Sequence, residues 1–430
     1  MKCGEQMSAL IIAIPLFDGA MSVRSYRLSA HDPDTVLDVR DDFRGRSQIY
    51  YLPGLDLIQK IGLSPLSGDM PLFIDTNRFH ILIGMFSNKN LPVDKLILTI
   101  PASIVVDDKL MAGIADLKSL GYGIAMDGYP DDGDSNPLTG FAGHIILDYS
   151  DKKFHGKLEE IKTKLRGTRL ILSGLPDMDA YRKYSNNRNA LFTGDFYTNP
   201  ITETSTEISP LKVNALELLR QINDDDFELA HIAKTIERDP ALSISLLKFI
   251  NSPAVGLRSK VNSISNAVAL LGQKEIRRWA TIAISVEIFK DRPGEITKLS
   301  LVRAKFAENL ATLFEMGIFQ NSLFMTGLFS LLDLILRKPM AEAVNEIAVD
   351  NLVREALVER KGSLYRVLDF IYAYERGDWN NVTILLVNND ISGEAAGSAY
   401  VDALLWYNQL LSTIDEIDGT TASPEGDHDE

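Results

Sequence analysis

Cysteine is nearly missing: the 430 residues hold one, Cys3. A single thiol excludes an internal disulfide framework and any metal cage built from thiolates, and it fits a reducing compartment. Long apolar runs are missing too. The longest, LFMTGLFSLLDLIL at 323–336, is too short for a bilayer and carries Asp333, so it predicts a buried helix and no membrane partner. The run ALIIAIPLF after Lys2 is also short, and Asp18 closes it without a small-residue cleavage pattern, which favours a cytoplasmic protein over a secreted one. Basic charge is scarce, with 44 Lys and Arg against 59 Asp and Glu and a formal net charge of -15. Such a surface repels a phosphate backbone, so nucleic acid is not an expected partner. Residues 1–200 carry 22 basic and 25 acidic side chains and the remainder 22 and 34, so the acidity sits in the second part.

Several spaced signatures are absent. The Gly156-Lys157 pair is followed by Leu158 rather than Ser or Thr, so there is no phosphate-binding loop, and no G-x-S-x-G elbow marks a serine hydrolase. The stretch GYGIAMDGYPDDGDSN, 121–136, gathers Asp127, Asp131, Asp132 and Asp134 behind an apolar run. A calcium loop opening at Asp132 would need Gly at its sixth position and Glu at its twelfth, where Pro137 and Gly143 stand.

What is present is a chain long enough for two cores. From 8 to 200, short apolar runs (ALIIAIPLFD, MPLFIDT, KLILTIP, YGIAMDG, GHIILDY, TRLILSG) alternate with amphipathic segments such as DDKLMAGIADLKSLG and FHGKLEEIKTKLRG. That alternation predicts a parallel sheet covered by helices, open or closed into a barrel. The Thr-, Ser- and Pro-rich stretch that follows makes 201–210 a linker. From 211 to 412 helical periodicity takes over: Leu229, Ile232, Ala233 and Ile236 repeat at helical spacing, Pro240 suits a first turn, and Gly272 suits a helix end. Residues 413–430, ending in a run rich in acids and poor in apolar groups, predict a disordered acidic tail.

Asp127 sits where a strand of such a sheet ends, the place where barrel enzymes keep their reactive groups. GYGIAMDGYP resembles the active-site strand of EAL domains, the TIM-like α/β barrels that hydrolyse cyclic di-GMP. AIPLFD, FIDTN, HIILDY and FTGDFYTNP resemble other motifs of that family, in family order. The resemblance implies a two-cation phosphodiesterase centre lined by carboxylates and an amide. Carried over residue by residue, its name-giving Glu falls on Arg27, its Asn on Asp75 and its next Glu on Thr99. Of its Asp pair, Asp127 remains beside Gly128; its Lys falls on Ile146, while Asp148 keeps the family's Asp. Two later Glu positions fall on Ser173 and Pro176, the closing Gln on Thr193, a substrate-gripping Gln on Ile14 and an Arg on His31. This set implies no metal cofactor, and Arg27 is expected to pair with Asp127 or Asp148 where the cations would sit.

In the second half, IERDPALSISLLKFINSP and SISNAVALLGQKEIRRW, followed by LVRAKFAENLA, FMTGLFSLLDLIL, KPM and AYERGDW, resemble the all-helical HDOD domain, a relative of HD metal phosphohydrolases. The HD dyad falls on Ser330 and Leu331 and a helical His position on Arg303, so no metal site is expected there either. His231 and the Arg277, Arg278, Trp279 cluster are taken as helix-surface and packing residues.

Together these features resemble EAL-HDOD signalling proteins. The expectation is a non-enzymatic cytoplasmic regulator acting through other signalling proteins, such as a sensor kinase or a cyclic di-GMP enzyme, in motility or biofilm control. The alternatives are a nucleotide sensor that binds without hydrolysis and an active cyclic di-GMP phosphodiesterase.

Overall fold

The computed structural model describes residues 9–31, 52–87, 90–131, 136–165, 167–199, 216, 219–222, 228–238, 240–251, 260–289, 294–347 and 349–418. Asp132, Asp134 and the linker 201–210 lie outside the described residues. Contacts divide the chain into two units: Met1–Asn199 with Asp369–Val401, and Pro200–Leu368 with Asp402–Glu430. Thus 369–401, which the sequence assigns to the helical half, belongs by contact with the first unit.

Eight strands close the barrel of that unit in sequence order: β1 (Leu10–Phe17), β2 (Val23–His31), β3 (Leu72–Asp75), β4 (Leu96–Pro101), β5 (Gly123–Asp127), β6 (His144–Asp148), β7 (Arg169–Leu175) and β8 (Ala190–Gly194). Neighbours from β2 to β8 are parallel, but β1 is antiparallel to both β2 and β8, a departure from the expected parallel sheet. The reason is the short link between β1 and β2. There the Asp18 amide donates to the Ser22 carbonyl and the Asp18 carboxylate accepts from the amides of Ala20 and Ser22, a reversal too tight for the crossover that parallel strands require.

Alternation along each strand sends one residue in two into the barrel. Leu16, Phe73, Ala125, Ile146 and Ile171 form an apolar layer there, with Ile97 and Leu191 packed against it. Outside, helix Asp108–Ser119 buries Leu110, Ile114 and Leu117, and its N-terminus is fixed by the Asp107 carboxylate accepting from the Leu110 amide. Helix Phe154–Lys164 buries Phe154, Leu158 and Ile161 at the same helical spacing.

The appended segment 369–401 meets the open start of β1. Phe17 with Phe192 is the registered pair between β1 and β8, so the beginning of β1 lacks a strand neighbour on that side among the described residues. Tyr374, fully buried near the end of helix Gly362–Glu375, supplies what is missing: its hydroxyl accepts from the Ile11 amide at 3.1 Å and donates to the Ile11 carbonyl at 3.0 Å. A phenol thereby does the work of a neighbouring strand. Gly397 is needed beside it, because a Cβ at that position would lie 2.5 Å from the Ala9 carbonyl oxygen.

Every regular element among the described residues of the second unit is a helix. Its helix at 240 begins at Pro240, and helix Ile264–Phe289 is broken at Gly272, whose φ of 73° is open to glycine and strained for other residues. Helices Gly294–Leu313 and Gln320–Phe329 cross closely at Gly327, where a Cβ would come within 2.6 Å of Ala304 Cα. The last helix, Gly393–Asp418, runs into the segment expected to be a disordered tail, making 413–418 helical, and residues 419–430 lie outside the described ones. Among the described residues no helix is long and apolar enough to cross a membrane.

Candidate functional site

The barrel mouth is organised by one guanidinium. Arg27 Nη2 lies 2.6 Å from Asp127 Oδ2 and 2.9 Å from Asp75 Oδ1, and Arg27 Nε donates to the same Asp75 oxygen at 3.1 Å. The strands dictate this meeting. Arg27 pairs in register with Phe73, so the next inward position on β3 is Asp75, at the strand's end; Asp127 occupies the corresponding end of β5. Burial works against the charge on Arg27, but the two carboxylates outweigh it and hold its pKa above the usual value. Although 47% of the Asp75 side chain is exposed, its place deep in the mouth costs it solvation and raises its carboxyl above the ordinary range; Arg27 opposes that rise and Asp127 adds to it.

The expected pairing of Arg27 with Asp127 is therefore present, while Asp148 takes no part. Its carboxylate instead accepts from the amide and hydroxyl of Ser150 at 2.7 and 2.6 Å, a local turn that draws it away from the guanidinium. The second partner, Asp75, stands at a family Asn position; its charge and strand-end place were the available signals. Thr99, 1% exposed, faces inward beside Asp75 in register, and its Oγ1 has no hydrogen-bond partner. Ile146 belongs to the apolar layer beneath. Gly128 has φ +89°, and a Cβ there would meet only Ala102 at 3.5 Å, so an aspartate is opposed by backbone conformation rather than by space. Ser173 donates to the Leu147 carbonyl, Thr193 is buried, Pro176 is exposed on the rim, and Ile14 sits opposite Arg27 in register. Asp131, further along the loop, is tied to Lys153 and Lys157 at the surface.

A second guanidinium marks the corresponding place in the helical unit. Arg303, 2% exposed, donates from Nη1 to Ser330 Oγ at 2.6 Å, and Ser330 donates onward to the Gly327 carbonyl at 2.6 Å. The close crossing at Gly327 holds the two helices near enough for that bond. Leu331 is buried in the core. Asp333 is buried as well and engaged in a polar interaction. Trp279 is buried and His231 is exposed, as expected, but Arg278 is not at a solvated helix edge: it forms a two-pronged pair with Glu308 at 2.5 and 2.8 Å and lies 4.8 Å over the Phe324 ring. The tight Glu308 pair was not foreseen. Among the described residues, no three histidine, cysteine or carboxylate side chains are grouped to share a metal ion.

Residues 208–361 match the HDOD domain family. The chain carries an HDOD domain. It is 26% identical over 423 residues, 94% of this chain and 99% of the relative, to the uncharacterised protein YuxH of Bacillus subtilis. It is 25% identical over 327 residues to the cyclic di-GMP phosphodiesterase CdgJ of Vibrio cholerae, covering 75% of this chain and 76% of that one. Solved structures similar to this chain include an EAL domain protein from Listeria monocytogenes (14% identity, TM-score 0.34, covering 45% of this chain and 88% of that one). Another is the Bacillus subtilis YkuI protein, with an EAL domain, in complex with cyclic di-GMP and calcium (15% identity, TM-score 0.33, 54% and 69%).

Proposed function

We propose that this chain is a non-enzymatic cytoplasmic regulator in a cyclic di-GMP pathway, a degenerate EAL barrel joined to an HDOD domain that has lost its dyad. It acts by binding other signalling proteins in motility, biofilm or sensor-kinase control. The observation that carries the reading is the Arg27 guanidinium bound to both Asp75 and Asp127. A phosphodiesterase of the two-cation type needs anionic oxygens free to hold its metals. Here both carboxylates are engaged by a cation of the protein's own, and in the helical unit a buried Arg303 bonds Ser330, a neutral hydroxyl at the dyad position. The names of the relatives support the pathway, since CdgJ is a cyclic di-GMP phosphodiesterase and YkuI binds that nucleotide.

The test uses the full-length protein with cyclic di-GMP and either Mg²⁺ or Mn²⁺, with products separated by chromatography. No turnover above the metal-only control is expected. Hydrolysis that disappears in Asp127→Ala would overturn the proposal. Affinity capture with the intact chain then identifies the protein partner.

One observation favours a second reading, a sensor that binds nucleotide without cleaving it. Buried hydroxyls normally have partners, yet Thr99 Oγ1 has none at the barrel mouth, so a ligand group could complete it. Titration calorimetry with cyclic di-GMP separates the readings: heat that saturates, without product, supports the sensor.

A further inference from the structure

On β2, residues 25, 27, 29 and 31 share the face that turns Arg27 into the mouth. β3 ends at Asp75, one residue beyond its Ile74–Leu28 pair, whereas β2 continues to His31. Ser29 and His31 therefore form a ledge rising from the mouth, about 7 and 13 Å beyond Arg27 at the rise of an extended strand.

That ledge is already covered by the appended segment of the same unit. Trp379 donates from Nε1 to Ser29 Oγ at 3.1 Å, and its ring lies parallel to that of His31, 7° apart in plane with centroids 5.9 Å apart. Tyr374 supports the indole edge-on at 5.4 Å. The turn that delivers it depends on a left-handed glycine and a capping aspartate. Gly377 has φ +64°, and a Cβ there would lie 3.7 Å from Ser29 Oγ, while the Asp378 carboxylate accepts from the Asn381 amide to start the next helix at Trp379. The ring is thus held by one hydrogen bond and two aromatic contacts, over a ledge on the same mouth as the unpartnered Thr99 hydroxyl.

We propose that the Gly377–Trp379 turn is a built-in cover of the β2 ledge at the barrel mouth, with the indole lying where the flat ring of a nucleotide would otherwise stack. This deepens the second reading, the sensor that binds nucleotide without cleaving it, and rests on that reading. In the resting protein the ring position on the ledge is filled by the chain itself. Withdrawal of the turn exposes the His31 face and, across the mouth from it, the Thr99 hydroxyl; Ser29 serves only to anchor the indole. Stacking of a base on such an aromatic face, together with a hydroxyl donor, is a chemistry that recognises nucleotides without cleaving them.

The experiment compares full-length wild type with Trp379→Ala and Ser29→Ala, using cyclic di-GMP as the probe in titration calorimetry. Trp379→Ala is expected to bind at least tenfold more tightly than wild type, and Ser29→Ala, which keeps the ring but frees Nε1, at least twofold more tightly. Both should exchange the amides of residues 29–31 faster. Equal affinity, weaker affinity, or no heat from any of the proteins overturns the cover. Should Trp379→Ala fail to melt cooperatively, Ser29→Ala decides alone. The two proposals fail separately: a Trp379→Ala protein that both binds and hydrolyses ends the non-enzymatic reading and leaves the cover standing. A wild type without turnover and a variant without gain do the reverse.

Discussion

Arg27 carries a charge balance that a substitution would upset at once. Its guanidinium side chain is 22% exposed, and the carboxylates it joins are 38% and 47% exposed, so solvent screens each pair and each contributes on the order of 1 kcal/mol or less. Removing the cation costs more than either pair, because Asp75 and Asp127 then repel each other across the mouth. Arg27→Ala is expected to lower stability by about 1–2 kcal/mol in urea denaturation, and Asp127→Asn by less than about 1 kcal/mol. His144, inside the barrel at the start of β6, behaves differently. Its ring meets Phe73 edge-on, its Nδ1 has no partner, and burial, with Arg169 nearby, pushes its pKa down to about 4. A histidine depressed by folding lends stability that is fully present above its unfolded value of 6.5 and is lost as pH falls towards about 4. Between pH 6.5 and 5 the protein should lose about 1–1.5 kcal/mol through this group, and the loss should be smaller in His144→Leu when both are unfolded in urea at each pH. In the sequence, Arg27 and Asp127 could be matched because both fall on motif positions of the family that the first half resembles. Asp148 misled, since the serine two residues on, which captures it, is a local signal weaker than a family motif.

At the scale of elements, six strands were legible as continuous apolar runs, and two were not. β2 presents Ser25, Arg27 and Ser29 to the barrel side and keeps its apolar Tyr26 and Leu28 for the other, so it shows no run; β8 contributes only five residues ending in glycine. The reversal of β1 was hidden for a related reason, as the direction of a strand depends on its connection rather than its composition. Nor does any periodicity announce that Tyr374 completes β1 from more than three hundred residues away. Its burial pushes the hydroxyl's pKa up, so it stays a donor across the usual pH range. Tyr374→Phe removes the hydroxyl, leaving the Ile11 amide and carbonyl without that partner, and is expected to cost about 2–3 kcal/mol. The measurement is equilibrium unfolding monitored by circular dichroism, with faster amide exchange at Ile11 as the local sign.

The whole molecule is divided differently from its sequence. Composition changes once, near 200, and the HDOD match ends at 361, but the first unit takes back 369–401. A fragment of residues 1–200 therefore lacks Tyr374, Trp379 and the helix that contains Gly397. It should fail to give a cooperative thermal transition, whereas the full chain gives one; a fragment that melts like the intact barrel would contradict this. Sequence patterns do not reveal an interrupted unit, since they report local burial and not which distant segment does the burying.

The same interruption gives synthesis a timetable. The eight strands are made by residue 194, yet Ile11 waits for Tyr374 and Ala9 for Gly397, both born after the HDOD segment. At roughly 5–20 residues per second the ribosome needs about 10–40 s to cover that distance. Throughout that interval the start of the first strand lacks the hydroxyl that pairs its Ile11 amide and carbonyl, so this edge of the barrel closes only once the chain's last helices have emerged.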